Sequence, residues 1–218
     1  MELKNKVINF LGDSITEGVG AGTDGRYPTL IERACGAICY NRGISGTRIA
    51  RQHKPADPPS RMDLDFCLRA QDMEPEADIV IVFGGTNDFG HGDAPLGTPE
   101  DRTPDTFYGA VHHLAGTLLT RYPKAQLLFL TPLHRADETR TVTRDGVTVT
   151  LTLKTYVDIL REVLEFYGIP LLDLYATGSM NPVIPAMRET YMPDGLHPNA
   201  AGHELLAKRI IAWFRANL

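Results

Sequence analysis

The chain has 218 residues, of which 43% are hydrophobic and 22% are charged, and its formal net charge is −5. This composition predicts one globular domain over residues 1–218, with enough apolar side chains for a single buried core. Lys and Arg do not cluster among aromatic residues and the longest apolar runs are too short to span a bilayer, so we expect neither nucleic acid nor a membrane as partner.

Short apolar runs alternate with longer amphipathic segments along the chain. In chain order the pattern predicts a strand at 6–11, a helix at 28–35, a strand at 37–41, a helix at 62–73, a strand at 78–83, a helix at 106–122, a strand at 125–130, a helix at 154–167, a strand at 170–174 and a helix at 199–217. Pro104-Asp105 and Asn199 are the expected caps of the helices that follow them.

This alternation predicts an α/β fold with a mostly parallel five-stranded sheet between two layers of helices. Right-handed crossovers bring the carboxyl ends of all the strands to one edge, where open sheets bind their ligands. Ser14, Gly46 and Asn87 each follow a predicted strand, and His197 lies in the loop before the last helix. We therefore expect these four residues to meet at that edge.

Two insertions interrupt the alternation, near residues 89–103 and 140–151. The first is rich in Gly, Pro and charged residues. The second alternates Thr and Val with polar residues around Asp145-Gly146, which predicts a β-hairpin. Both follow strands at the ligand-binding edge, so each is either part of a substrate pocket or a solvated surface feature.

Two segments far apart in the sequence carry the groups of a catalytic triad. Ser14 stands at the end of the first apolar run, and Asp194 precedes His197 by three residues. A serine hydroxyl becomes an effective nucleophile when an imidazole accepts its proton and a carboxylate orients that imidazole. We expect Asp194 to bind Nδ1 of His197 and to direct its Nε2 towards Ser14.

Acyl transfer also needs hydrogen-bond donors for the oxyanion. The backbone N–H groups of Ser14 and Gly46 and the side-chain amide of Asn87 are the candidates. Two of these residues have a simpler interpretation, because Ser14 is of a type common at helix caps and Asn87 of a type common in turns.

The chain resembles the SGNH (GDSL-type) hydrolases in four blocks: Gly12-Asp13-Ser14-Ile15-Thr16, Asn41-Arg42-Gly43-Ile44-Ser45-Gly46, Gly84-Gly85-Thr86-Asn87-Asp88 and Asp194-Gly195-Leu196-His197-Pro198. The one departure is Ile15, where the family has Leu. The resemblance implies a flavodoxin-like α/β/α sandwich that hydrolyses esters without a metal or cofactor. It assigns Ser14, Asp194 and His197 to the triad and Ser14, Gly46 and Asn87 to the oxyanion hole.

Other residues are candidates for lesser roles. Asp13 is expected to support the loop through its hydrogen bonds. His91 and His134 follow strands at the ligand-binding edge, and Tyr191 and Met192 precede Asp194, so we consider these four as substrate contacts. Packing is the alternative for Met192.

The leading hypothesis is a serine esterase that removes a small acyl group, such as acetyl from a carbohydrate, from a small-molecule substrate. A thioesterase or lysophospholipase would use the same site, whereas a metal-dependent phosphoesterase or a non-catalytic carbohydrate-binding protein would not need the triad. The odd number of cysteines, three in all, favours reduced thiols and a cytoplasmic location. The sequence is compatible with a monomer and with a homo-oligomer.

Overall fold

The computed structural model describes residues 3–144 and 146–217. The strands of these residues are β1 (Val7–Gly12), β2 (Ile38–Gly43), β3 (Ile79–Phe83), β4 (Gln126–Leu130), β5 (Thr139–Arg144), β6 (Val147–Thr152) and β7 (Leu171–Leu172). The helices are α1 (Ser14–Glu17), α2 (Gly22–Gly25), α3 (Tyr27–Cys35), α4 (Phe66–Arg69), α5 (Thr86–His91), α6 (Phe107–Arg121), α7 (Leu153–Tyr167), α8 (Leu174–Thr177), α9 (Pro185–Tyr191) and α10 (Ala200–Asn217). None of these helices has both the length and the apolar character that crossing a bilayer requires.

Five strands form one sheet in the order β2-β1-β3-β4-β7, and every neighbouring pair is parallel. The chain moves outwards from β1 to β2 and then returns to the other side of β1 with β3, so the strand order reverses between β1 and β3. Gly12 at the end of β1 pairs with both Gly43 and Phe83, which aligns the carboxyl ends of the three strands. A crevice outside such a reversal is the usual ligand site of an open parallel sheet.

The sheet separates two hydrophobic clusters, as the predicted three-layer sandwich requires. In β3, Ile79, Ile81 and Phe83 face a cluster shared with α3 and α10, whereas Val80 and Val82 face a cluster shared with α6 and α7. All five residues are buried, which explains why β3 is continuously apolar rather than alternating. The predicted α/β fold is confirmed, and its central sheet is entirely parallel.

The predicted helix at 62–73 is wrong. A 3₁₀ helix at Arg61–Asp63 is followed by the four-residue α4, and Asp65 separates them by accepting a hydrogen bond from the Leu68 N–H as an N-cap. The expected apolar face does not form, because Cys67 is buried while Leu64 and Leu68 are exposed. A side-chain acceptor that competes for backbone N–H groups therefore outweighs the apolar spacing.

Two other boundaries differ from the prediction. Helix α6 is capped by Thr106, whose hydroxyl accepts from the Gly109 N–H, and not by Pro104-Asp105. The last strand pairs only over Leu171–Leu172, because Asp173 caps α8 immediately afterwards. Asn199 caps α10 as expected, with its side chain accepting from the Gly202 N–H.

The two insertions differ in structure. Phe89 to His91 complete α5, with Phe89 buried and His91 exposed, so the first insertion begins at Gly92 rather than at residue 89. Its Asp101 side chain accepts hydrogen bonds from Thr98 within the loop and from Thr106 at the start of α6. The second is the predicted antiparallel hairpin of β5 and β6, and Asp145 of its turn lies outside the described residues.

Candidate active site

The end of β1 places Ser14 at the carboxyl edge of the sheet. Asp13 caps α1 by accepting a hydrogen bond of 3.0 Å from the Ile15 N–H, so Asp13 takes the capping role that the sequence also allows for Ser14. Ser14 is the first residue of α1, where a backbone N–H has no acceptor within the helix. Only 6% of Ser14 is exposed.

The loop before α10 places His197 against this serine. Nε2 of His197 lies 2.9 Å from Oγ of Ser14, and Nδ1 lies 2.7 Å from Oδ2 of Asp194. The other oxygen of Asp194 accepts from the N–H groups of Leu196 and His197. Burial alone would raise the pKa of Asp194, but these hydrogen bonds hold it below its ordinary value. The carboxylate is therefore charged and fixed where it orients the imidazole.

The glycine block (residues 41–46) packs against α1 at the end of β2 and in the turn that follows. Gly46 has a φ of +77°, which L side chains rarely adopt, so this turn favours glycine. Its N–H has no acceptor among the residues that the structure describes, which leaves it free to bind an oxyanion. Glu17 fixes the turn by accepting from the N–H and the hydroxyl of Ser45.

Asn87 lies in α5, on the other side of the reversal in strand order from Ser14. Its Nδ2 donates to the carbonyl oxygen of Thr47 at 3.0 Å, so the asparagine block (residues 84–88) is attached to the residue that follows the glycine block. The next residue strengthens the attachment, because the Asp88 carboxylate accepts from the N–H groups of Ile49 and Ala50. One N–H of the Asn87 amide remains available beyond the Thr47 bond.

A buried arginine joins the strand ends beneath the site. Arg69 donates to the carbonyl oxygens of Gly12 and Arg42 and to the hydroxyl of Thr47, at distances of 2.7 to 3.0 Å. Burial lowers the pKa of Arg69 to about 10, and the charge of Asp13 opposes that shift. The arginine remains charged at neutral pH and holds three segments of the site in register.

Two buried carboxyl groups under the site have pKa values above the ordinary value of an aspartate. Burial raises the pKa of Asp13 to about 6, against the lowering effect of the Ile15 hydrogen bond. Burial likewise raises the pKa of Asp88 to about 6, although two backbone hydrogen bonds favour its charged form. Neither carboxyl group is within the hydrogen-bonded line from Ser14 to Asp194, so both act on the loops that carry the site.

The four candidate substrate contacts lie in different surroundings. His91 binds Asn87 and Arg48. His134 binds Glu138 at 2.6 Å and packs against the Tyr175 ring, with a centroid distance of 4.0 Å. The remaining two belong to packing: Met192 is buried in the cluster shared with α3 and α10, and Tyr191 packs against that cluster.

Three charged residues that shape the site were not predicted from the sequence: Glu17, Arg48 and Arg69. Each stands outside a recognisable motif, and each acts on a segment 14 to 57 residues away. Only Glu17 had a local signal, since it is the acidic residue of the first turn of α1. The contacts of the two arginines depend on how the strand ends meet.

Known proteins with this architecture support an assignment to a family. The model of the GDSL-like lipase/acylhydrolase family matches residues 10–205. One crystal structure is 36% identical, covers 100% of this chain and 99% of its own, and superposes with a TM-score of 0.85. A protein from Lactobacillus plantarum is 31% identical, with 99% of each chain covered and a TM-score of 0.82.

A more distant structure shares the fold. A protein of Bacteroides ovatus named for its likeness to GDSL lipases is 20% identical, with 98% of this chain and 100% of its own covered and a TM-score of 0.68. A search of curated proteins finds no significant match. With the family model spanning all four blocks and the sheet placing those blocks at one edge, this chain belongs to the GDSL-like lipase/acylhydrolase family and is a hydrolase.

Proposed function

We propose that this protein is a serine ester hydrolase that removes a small acyl group, with acetylated carbohydrates as its substrate class. The observation that carries the proposal is the hydrogen-bonded line from Ser14 through His197 to Asp194, with distances of 2.9 and 2.7 Å. Membership of the acylhydrolase family supports the reaction class.

The proposed reaction begins when Oγ of Ser14 attacks the ester carbonyl carbon while Nε2 of His197 accepts the hydroxyl proton. Asp194 stabilises the imidazolium that forms. The oxyanion of the tetrahedral intermediate binds the N–H groups of Ser14 and Gly46 and the amide of Asn87. His197 then protonates the leaving alcohol, and an acyl group remains on Ser14.

A water molecule completes the cycle. His197 accepts a proton from this water as it attacks the acyl-enzyme, and the same donors stabilise the second oxyanion. Collapse of that intermediate returns the proton to Ser14 and releases the acid. The scheme needs no metal or cofactor, and the only partner it requires is the small-molecule ester.

The proposal is tested by hydrolysis of p-nitrophenyl acetate, butyrate and octanoate in the presence of EDTA, followed by acetate release from peracetylated sugars. We expect metal-independent activity that is highest on acetate. Ser14→Ala abolishes it, whereas Ser179→Ala, which alters an exposed serine on another loop, leaves it unchanged. Activity that EDTA removes would instead indicate a metal-dependent esterase, and a preference for octanoate would indicate a lipid substrate.

A further inference from the structure

The amide of Asn87 is the end of a chain of hydrogen bonds that reaches a buried arginine. Oδ1 of Asn87 lies 3.2 Å from Nε2 of His91, and Nδ1 of His91 lies 2.8 Å from Nη1 of Arg48. His91 is one turn after Asn87 in α5, and Arg48 lies in the segment that follows the glycine block. The chain of bonds therefore adds a further connection between α5 and the segment after the glycine block, beside the bond from Asn87 to Thr47 and those from Ile49 and Ala50 to Asp88.

The arginine determines the direction of every bond in this chain. A guanidinium group has donors and no acceptor, so Nδ1 of His91 must be the unprotonated nitrogen. The neutral imidazole then carries its proton on Nε2 and donates it to Oδ1 of Asn87. With Oδ1 occupied as an acceptor, Nδ2 faces the carbonyl oxygen of Thr47, and its second N–H is left for the oxyanion.

The groups around Arg48 and His91 favour this single arrangement of hydrogen bonds. Arg48 is only 6% exposed, donates to the carbonyl oxygen of Met62 and lies 3.6 Å from the Asp63 carboxylate. His91 is exposed at the surface, but partial desolvation of its ring lowers the pKa of His91, and the positive charges of Arg48, Arg135 and Arg140 lower it further. The imidazole is therefore neutral at neutral pH and acts as a fixed donor.

We infer that His91, held by Arg48, is a positioning residue that fixes the orientation of the Asn87 amide for the oxyanion. This role replaces the substrate contact that the sequence suggested for His91. The inference rests on the proposed function, because it requires Asn87 to be an oxyanion donor. It also predicts that His91 acts only through Asn87.

The test is a double-mutant cycle on p-nitrophenyl acetate with Asn87→Ala, His91→Ala and the combined variant. We expect His91→Ala to lower kcat by about 10- to 10²-fold with KM nearly unchanged, because the amide is then misoriented in the transition state. The combined variant is no slower than Asn87→Ala alone. His91→Gln, which retains one donor and one acceptor, recovers much of the lost kcat.

Two controls separate this role from a structural one. His113→Ala removes a half-buried histidine on α6 and leaves kcat unchanged. Melting temperatures of all variants identify any loss of folding. If His91→Ala does not fold, His91→Leu, which fills the space without a polar group, takes its place in the cycle.

The outcomes distinguish the two claims. An Asn87→Ala variant with wild-type kcat would refute the oxyanion role of Asn87 and with it the proposed function of that residue. A loss of kcat in Asn87→Ala without any loss in His91→Ala would overturn only the positioning role. A rise in KM at constant kcat in His91→Ala would also overturn it, because that result indicates a substrate contact. So would a combined variant in which the losses of kcat from the two single substitutions add.

Discussion

Gly20 lies directly against Pro198, so the turn after the serine helix contacts the loop that carries the histidine. A Cβ at Gly20 would lie 2.4 Å from the carbonyl oxygen of Pro198 and 3.6 Å from Cβ of His197. Gly20 also has a φ of +89°, which L side chains rarely adopt. This contact fixes the distance between two parts of the site that are 183 residues apart.

Substitution of Gly20 by Ala is therefore expected to move His197 away from Ser14. We predict a fall in kcat of about tenfold or more, because small displacements of a catalytic group have large effects on rate. Gly22→Ala is the matched control: Gly22 has a φ of +70° but no atom within 4 Å of its Cβ position. The control is expected to lower stability by about 1–2 kcal/mol through backbone strain alone, with kcat unchanged.

Steady-state kinetics and thermal unfolding of the two glycine variants provide the comparison. Equal kcat values for Gly20→Ala and Gly22→Ala would show that the contact with Pro198 does not position the histidine.

Asp194→Asn tests the orientation of the imidazole. The amide keeps the shape of the side chain, but its NH₂ group facing Nδ1 of His197 would favour the wrong tautomer. We predict a fall in kcat of about 10²–10⁴-fold, with the lower part of this range allowed because Asp194 is partly exposed. The melting temperature and kcat are measured beside Asp158→Asn, an exposed carboxylate on α7 that is expected to have no effect on kcat.

Retention of wild-type kcat in Asp194→Asn would contradict the role of this carboxylate. A parallel drop in the Asp158→Asn control would point to general electrostatics instead.

The buried carboxyl group of Asp13 predicts a pH dependence of stability. Its folded-state pKa is about 6, above the ordinary value of 3.8, so the folded state retains this proton after the unfolded state has lost it. The contribution of Asp13 to stability is therefore full below about pH 4 and is lost as the pH rises through 6. A shift of this size corresponds to a change on the order of 3 kcal/mol in the free energy of unfolding.

Asp13→Asn removes this titration while its carbonyl oxygen still accepts from the Ile15 N–H. We predict that the stability of the variant relative to wild type increases between pH 4 and 6 and is constant above that range. Urea unfolding at several pH values measures the difference, with Asp158→Asn as the control. A pH-independent difference would mean that Asp13 titrates at its ordinary value in the folded protein.

The sequence predicted the parts of the fold that depend on local pattern. The β-branched run of β3 identified a strand covered on both faces, and the Gly146 turn identified the hairpin. The predicted helix at 62–73 does not form because Asp65 accepts a hydrogen bond from the Leu68 N–H, and the spacing of apolar residues does not reveal this effect. Patterns of apolar residues thus located the elements better than their ends.

Residues of the candidate site that belong to a sequence motif could be predicted. Residues that support the site through contacts formed only in the folded protein could not. Ser14 and His197 were found from their blocks, and the structure brings them within 2.9 Å. Arg69 was not, because three of its four acceptors lie in segments that meet only when β1, β2 and the turn after β2 are assembled. Its neighbours in sequence give no indication of that position.

In the proposed mechanism His197 activates Ser14 as a nucleophile, and covalent labelling of Ser14 is a direct test of this activation. We would treat the protein with diethyl p-nitrophenyl phosphate and locate the modification by mass spectrometry of the intact chain and its peptides. We expect one diethylphosphoryl group on Ser14, loss of hydrolysis in proportion to labelling, and no labelling of Ser14→Ala or His197→Ala. Unmodified Ser14 in protein that has lost its activity, or undiminished labelling in His197→Ala, would contradict it.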